Sequence, residues 1–134
     1  LVVGFLPPYY PARNNDSADP KFEAVNKAMR AVIAEAKGSH GVTIEECSLF
    51  AGICDLSYTG FQGDSKELSV FRENLADQGA LYSFPAKELA LLDSPVLNLG
   101  PCGYDAHKLE ERLELSYSLD TLPRLIEYFI RQLA

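Results

Sequence analysis

"SPVLNLGPCGYDAHKLEERLELSYSLDTLPRLIEYFIRQL" (residues 94–133) decides the fold. Its front, "PVLNLG" (95–100), is a short apolar run bounded by proline and glycine, and reads as a buried strand. Its back carries Leu122, Leu125, Ile126, Phe129, Ile130 and Leu133 at helical spacing, with Asp120 placed to cap that helix. Between them, "GPCGYDAHKLEER" (100–112) sets a histidine in a Gly- and Pro-rich turn, among Asp105, Glu110, Glu111 and Arg112. A core histidine belongs more often to a periodic helix or strand, whereas ligand and catalytic residues gather on turns held by rigid neighbours.

Working outward, the same alternation of strand and helix recurs. "LVVGFL" (1–6) is apolar and β-branched, is ended by Pro7-Pro8, and reads as a strand. Residues 7–20, "PPYYPARNNDSADP", form a loop or hinge. Asp19-Pro20 then offers an N-cap and a first-turn proline for a helix over 20–37, with Phe22, Val25, Met29, Val32, Ile33 and Ala36 on its apolar face and Gly38 as its stop. "VTIEECSLF" (42–50) reads as a strand, and "AGICDLSYTGFQG" (51–63) as a glycine-punctuated loop. Short helices are expected at 65–77, closing near Gly79, and at 84–92 with Pro85 in its first turn. Alternating strands and helices imply an α/β layer architecture. In such sheets ligands gather beyond the carboxyl ends of strands, which singles out loops 51–60 and 100–107. Glycines in both, Gly52 and Gly103 among them, let the backbone approach a ligand closely.

Composition narrows the partners. With 134 residues the chain is long enough for one real core. A net charge of −7, spread rather than blocked, argues against nucleic-acid binding and offers no polybasic handle for anionic lipid. No apolar stretch approaches the roughly 18 residues that span a bilayer. Three cysteines, Cys47, Cys54 and Cys102, form no CxxC pair and read as reduced thiols in a cytoplasmic setting. The chain opens at Leu1 directly into a strand-like run, which reads as a start within a larger protein; a trimmed terminus is the alternative.

His107 is the sharpest chemical candidate. Neutral imidazole is a common zinc ligand, and its other nitrogen is usually fixed by a carboxylate or carbonyl, here Asp105, Glu110 or Glu111. One histidine is not a site, because zinc takes three or four protein ligands, and an ordinary surface histidine is the competing reading. Asp55, in an apolar, glycine-flanked loop, either orients a ligand or closes an Asx-turn on its own backbone. Cys54 or Cys102 paired with His107 would make a nucleophile and base, but neither has the cation or helix N-terminus that lowers a thiol pKa. His40 reads as a solvated turn residue.

Three segments together resemble the C-terminal part of the zinc-dependent aminoacylase/carboxypeptidase family of metallopeptidases, nearest its arginine-utilisation branch: "GFLPPYYP" (4–11), "FAGICDLSY" (50–58) and the block 94–133. The resemblance implies the C-terminal part of a three-layer α/β/α zinc-hydrolase domain over 20–134. Residues 1–8 would then be the last strand of an inserted lid, and 9–19 a hinge. It implies His107 as the one zinc ligand this chain gives to a two-zinc site, with Asp105 and Glu111 behind it. It also puts Gly52, Cys54, Asp55 and Gly103 along the substrate cleft, with no catalytic residue in this chain. The family's H-x-D motif is absent: His40 is followed by Gly41-Val42 and His107 by Lys108-Leu109. The expected partners are a small amino-acid-derived or peptide substrate, the missing N-terminal part of the same protein, and a second copy in a homodimer. The expected activity is amide or peptide hydrolysis by the intact protein, with this chain inactive alone. The alternative is a stand-alone α/β binding module that kept the scaffold without the chemistry.

Overall fold

The computed structural model describes residues 1, 3–47, 53–75 and 80–134. The chain divides into two compact units, Leu1–Asn14 with Ser48–Val96 and Asn15–Cys47 with Leu97–Ala134, called here the first and second unit.

In the second unit the helix start follows the expected chemistry. Asp19 is extended, and its carboxylate accepts from the Lys21 amide at 3.0 Å. Pro20 opens a 3-10 turn over Pro20–Phe22, which runs into α1 (Glu23–His40). The helix passes through Gly38 and ends at Gly41 instead. Gly41 takes the left-handed conformation (φ 66°) that glycine tolerates, and the Val42 amide then reaches back to the Ala36 carbonyl at 2.9 Å. One glycine inside a helix costs only about 1 kcal/mol, so the terminus falls where a left-handed cap can form.

The terminal helix begins earlier than expected. Ser116–Thr121 form a π-helical turn that continues into α4 (Leu122–Leu133). Asp120 lies inside that turn and does not cap it. Glu114 does: its carboxylate accepts from the Ser116 amide (3.2 Å) and the Tyr117 amide (2.5 Å). α1 packs on α4 around Val32, Ala36 and Leu125, with Val42, Ile44, Leu99, Tyr117, Tyr128 and Phe129 partly buried around them. Fully burying one such leucine contributes about 1.5–3 kcal/mol.

The expected strands are the main correction. Residues 42–47 and 95–100 form no ladder among the described residues, and 48–50 lie outside them. At 1–6 the regular pairing reduces to one parallel bridge, Phe5 to Leu75. Helix hydrogen bonds close within one segment, but a strand needs a second segment to pair with. The two-stranded sheet that does form, β1 (Gly103–Tyr104) with β2 (Arg112–Leu113), lies where a turn was expected. The described fold is therefore mixed: helices with one small antiparallel sheet.

The first unit has shorter helices. Asp64 accepts from the Glu67 amide at 2.8 Å and starts α2 (Ser65–Glu73), which stops at Asn74 rather than running to 77. Residues 76–79, including the expected stop Gly79, lie outside the described residues. α3 (Ala86–Leu92) follows Pro85 as expected. Aromatic rings fill this unit: Tyr9 stacks on Phe71 at 4.5 Å and meets the Phe84 edge at 5.1 Å, and Phe61 meets Phe84 at 5.2 Å. No helix among the described residues is long and apolar enough to cross a membrane.

Candidate functional site

The turn around His107 is closed by the β1–β2 hairpin, in which Gly103 pairs with Leu113 and Tyr104 with Arg112. Gly103 is needed there for close approach: a Cβ would sit 2.5 Å from the Arg112 carbonyl oxygen. Its structural role is in the hairpin itself. Between the strands, Asp105 (φ 56°) and His107 (φ 64°) both hold left-handed backbone, which β-carbons disfavour. Such conformations persist where the surroundings over-determine them.

Here the surroundings are charged. Arg112 Nη2 meets Asp105 Oδ2 at 2.8 Å, and Lys108 Nζ meets Asp105 Oδ1 at 3.3 Å. The guanidinium of Arg112 also lies 5.5 Å from the centre of the Tyr104 ring. Glu111 accepts from the backbone amide of His107 at 3.1 Å, and the Lys108 amide donates to the Asp105 carbonyl at 3.0 Å. Glu111 thus acts on the backbone of the turn and the Asp105 side chain on Arg112 and Lys108; neither holds the imidazole ring that the sequence assigned to them. The ring is exposed, and nothing among the described residues hydrogen-bonds it.

This turn therefore brings together Gly103, Asp105, His107 and Glu111. No group of three or more His, Cys, Asp or Glu side chains that could hold a metal ion occurs among the described residues. His107 offers one donor, which is not by itself a zinc site. Cys102, exposed, donates its backbone amide to the Ser118 hydroxyl at 3.3 Å. Burial pushes the nearby Tyr117 hydroxyl above the ordinary tyrosine value, with a smaller contribution from Cys102. His40 is the last residue of α1, where a cation suits the helix dipole.

Cys54 and Asp55 belong to the first unit; Gly52 lies outside the described residues. Asp55 starts a 3-10 turn (Asp55–Thr59) that Cys54 precedes in extended conformation. The Asp55 side chain is exposed, and among the described residues it makes no Asx-turn. The polar work in this loop falls to its neighbours. Ser57 Oγ donates to the Pro11 carbonyl at 2.6 Å. Tyr58 donates to the Tyr9 carbonyl at 2.8 Å, the Tyr9 amide donates to the Tyr82 hydroxyl at 3.0 Å, and the two hydroxyls lie 3.2 Å apart. Because Tyr58 spends its one proton on the carbonyl, Tyr82 is the donor between the hydroxyls. Burial, then the Tyr82 contact, pushes the Tyr58 hydroxyl well above the ordinary tyrosine value.

Sequence reading missed this clamp, and it missed Arg13. The Arg13 side chain is 2% exposed; Nη1 meets Asp93 Oδ1 at 2.8 Å and Nη2 donates to the Ser94 carbonyl at 2.8 Å. Gly60 packs against it so closely that a Cβ would lie 2.7 Å from the guanidinium carbon. Nε of Arg13 is buried with no partner among the described residues. No periodicity marks an arginine in a Pro- and Asn-rich loop as buried; only its distant partners do.

The chain is similar to the uncharacterized protein YqjN of Bacillus subtilis, 32% identical over 133 residues, which are 99% of this chain and 23% of that protein. It is also similar to protein RocB of the same organism, 24% identical over 127 residues, 95% of this chain and 22% of that protein. The chain thus spans less than a quarter of the length of these curated relatives. No family model matches the chain, and no solved structure matches it significantly.

Proposed function

We propose that these residues are the C-terminal part of a larger zinc-dependent hydrolase that cleaves an amide or peptide bond of an amino-acid derivative, and that His107 is its metal ligand in this part. The observation that carries the reading is the turn at 105–111. A left-handed histidine has its backbone amide held by the Glu111 carboxylate, in a turn whose Asp105 side chain is paired with Arg112 and Lys108, while its imidazole stays exposed and unengaged among the described residues. The distant likeness to RocB agrees with the resemblance to the arginine-utilisation branch and supports a hydrolase-like relative at the coarse level.

In this reading the chain's own residues hold and aim one ligand. Asp105, pinned by Arg112 and Lys108, and Glu111, on the His107 amide, fix the turn, so the imidazole is presented without a ring partner to displace. Zinc, when bound, polarises a carbonyl and lowers the pKa of its water toward about 7. The remaining ligands and the proton shuttle come from polypeptide beyond these residues. Cys54 and Asp55, with Gly52, are assigned to substrate contact; the exposed, uncommitted Asp55 carboxylate leaves it free for that role among the described residues.

The test is hydrolysis of a panel of N-acyl amino acids and dipeptides by the natural polypeptide that contains this chain, wild type against His107→Ala. The expected result is metal-dependent turnover that falls at least about 100-fold in the variant, the scale of losing a positioned metal or its shell. Turnover unchanged in His107→Ala, or a folded wild-type protein without hydrolytic activity, overturns the reading. The second outcome favours a binding module.

A further inference from the structure

The second unit contains two chain segments whose side chains behave as strands and whose backbones do not. In 42–45, Val42 and Ile44 are half-buried while Thr43 and Glu45 are exposed; in 97–100, Leu97 and Leu99 are half-buried while Asn98 and Gly100 are exposed. This period of two is the signature of a strand with one face on a core. Val42, Ile44 and Leu99 all pack against the Val32–Ala36–Leu125 cluster between α1 and α4. Yet from Thr43 to Glu46 and from Leu97 to Gly100 no backbone amide or carbonyl makes a hydrogen bond among the described residues. Backbone groups beside a core are nearly always paired, and unpaired edges are templates for another strand.

The apolar surface continues past the core on α4. Ile130 is 59% exposed and Ile126 40% on the helix that supplies Leu125, and Leu119 is 63% exposed in the π-helical turn that leads into it. A helix layer with strand-patterned runs beneath it and apolar surface beyond is one layer of a larger sheet structure. The relatives supply the chain that such a structure needs, since more than three quarters of YqjN and of RocB lies outside the matched region.

We infer that the runs 42–46 and 97–100 are strands of a sheet completed by extended β-strands from polypeptide beyond these 134 residues, which also cover the exposed face of α4. The partner is recognised by main-chain donors and acceptors along the two runs and by apolar side chains on α4. The inference rests on the part of the proposed function that makes this chain a portion of a larger protein; it does not rest on the metal.

Amide hydrogen exchange on the 134-residue chain and on the natural polypeptide tests it. In the short chain the amides of Thr43–Glu46 and Leu97–Leu99 should exchange freely while mid-α1 amides are protected. In the natural polypeptide the same amides should slow by roughly 100-fold or more. Thr43→Pro and Asn98→Pro, which remove donors at outward-facing positions, should abolish that protection and leave the helical signal of the short chain unchanged. Equal exchange in both forms, or a natural protein that ends with these residues, overturns the inference. So does protection in the short chain that rises with its concentration, because a second copy is then the partner. His107→Ala should leave the exchange pattern intact, so loss of the metal reading and loss of this one are told apart.

Discussion

The two units solve stability in different ways. The second unit joins two long helices through aliphatic side chains, with Leu125 and Ala36 fully buried between them. The first unit has helices of nine and seven residues and holds its loops by rings, hydroxyls and one buried ion pair. Isolated helices that short are marginal in water, so the first unit depends on contacts between residues far apart in sequence. Tyr58 reaches Tyr9 across 49 positions and Arg13 reaches Asp93 across 80. The difference teaches where rigidity comes from in each. One is stiff because its elements are regular, the other because a few polar side chains are fully committed.

The sharpest way to break this contrast is to remove a single committed group. Arg13→Ala takes the guanidinium away from Asp93 and from the Ser94 carbonyl, and breaking a buried pair from one side costs about 4 kcal/mol. Chemical denaturation should show that loss, with exchange rising first in residues 53–75 and 80–94. A loss below about 1 kcal/mol would place Arg13 with ordinary surface pairs.

Leu125→Ala probes the other unit by its own logic. It empties the space between α1 and α4 and should cost about 3 kcal/mol, seen as a lower denaturation midpoint with early exchange in α1. If the first unit loosens first instead, the contrast between the units fails.

Tyr58→Phe sharpens the comparison through pH. The Tyr9 carbonyl loses its donor, for about 1 kcal/mol at neutral pH. The native hydroxyl keeps its proton above the ordinary tyrosine value near 10, whereas the unfolded chain releases it there. Above about pH 10 the unfolded state therefore binds fewer protons, and stability falls as pH rises. Tyr58→Phe should remove that alkaline loss. An unchanged profile between pH 9 and 11 would mean that Tyr58 is not held neutral.

The smallest effect is expected at Asp105→Asn. The aspartate side chain is 33% exposed and that of Arg112 67%, so the pair contributes less than about 1 kcal/mol to stability. Its consequence should be local: a change in the amide and imidazole resonances of His107 with little change in the denaturation midpoint. A large loss of stability would make the turn part of the core.

These contrasts also explain what could be read from the residues alone. The start of α1 was legible because Asp19, Pro20 and the apolar spacing after them are all local. Its end was misplaced by three residues, since Gly38 and Gly41 look alike until the left-handed cap is seen to close on Ala36. The terminal helix was found, but its cap was given to Asp120. The π turn moves the start back, where Glu114 serves the exposed amides. Within the expected strands, 42–45 and 97–100 have strand-like side-chain patterning with no ladder among the described residues, because pairing depends on a second segment. At the candidate site, the turn that carries His107 was legible from its glycines and proline. Asp105 and Glu111 were expected on the ring; instead Asp105 pairs with Arg112 and Lys108 and Glu111 holds the His107 amide, a distinction that spacing alone does not encode. Arg13 and the tyrosine clamp left no local trace.

The most direct measurement is the zinc content of the natural polypeptide after exhaustive dialysis, wild type beside His107→Ala, with folding checked by circular dichroism. The account predicts that the variant retains its fold and loses about one zinc per chain. Full and equal occupancy in both proteins would contradict it, because the imidazole would then hold no metal.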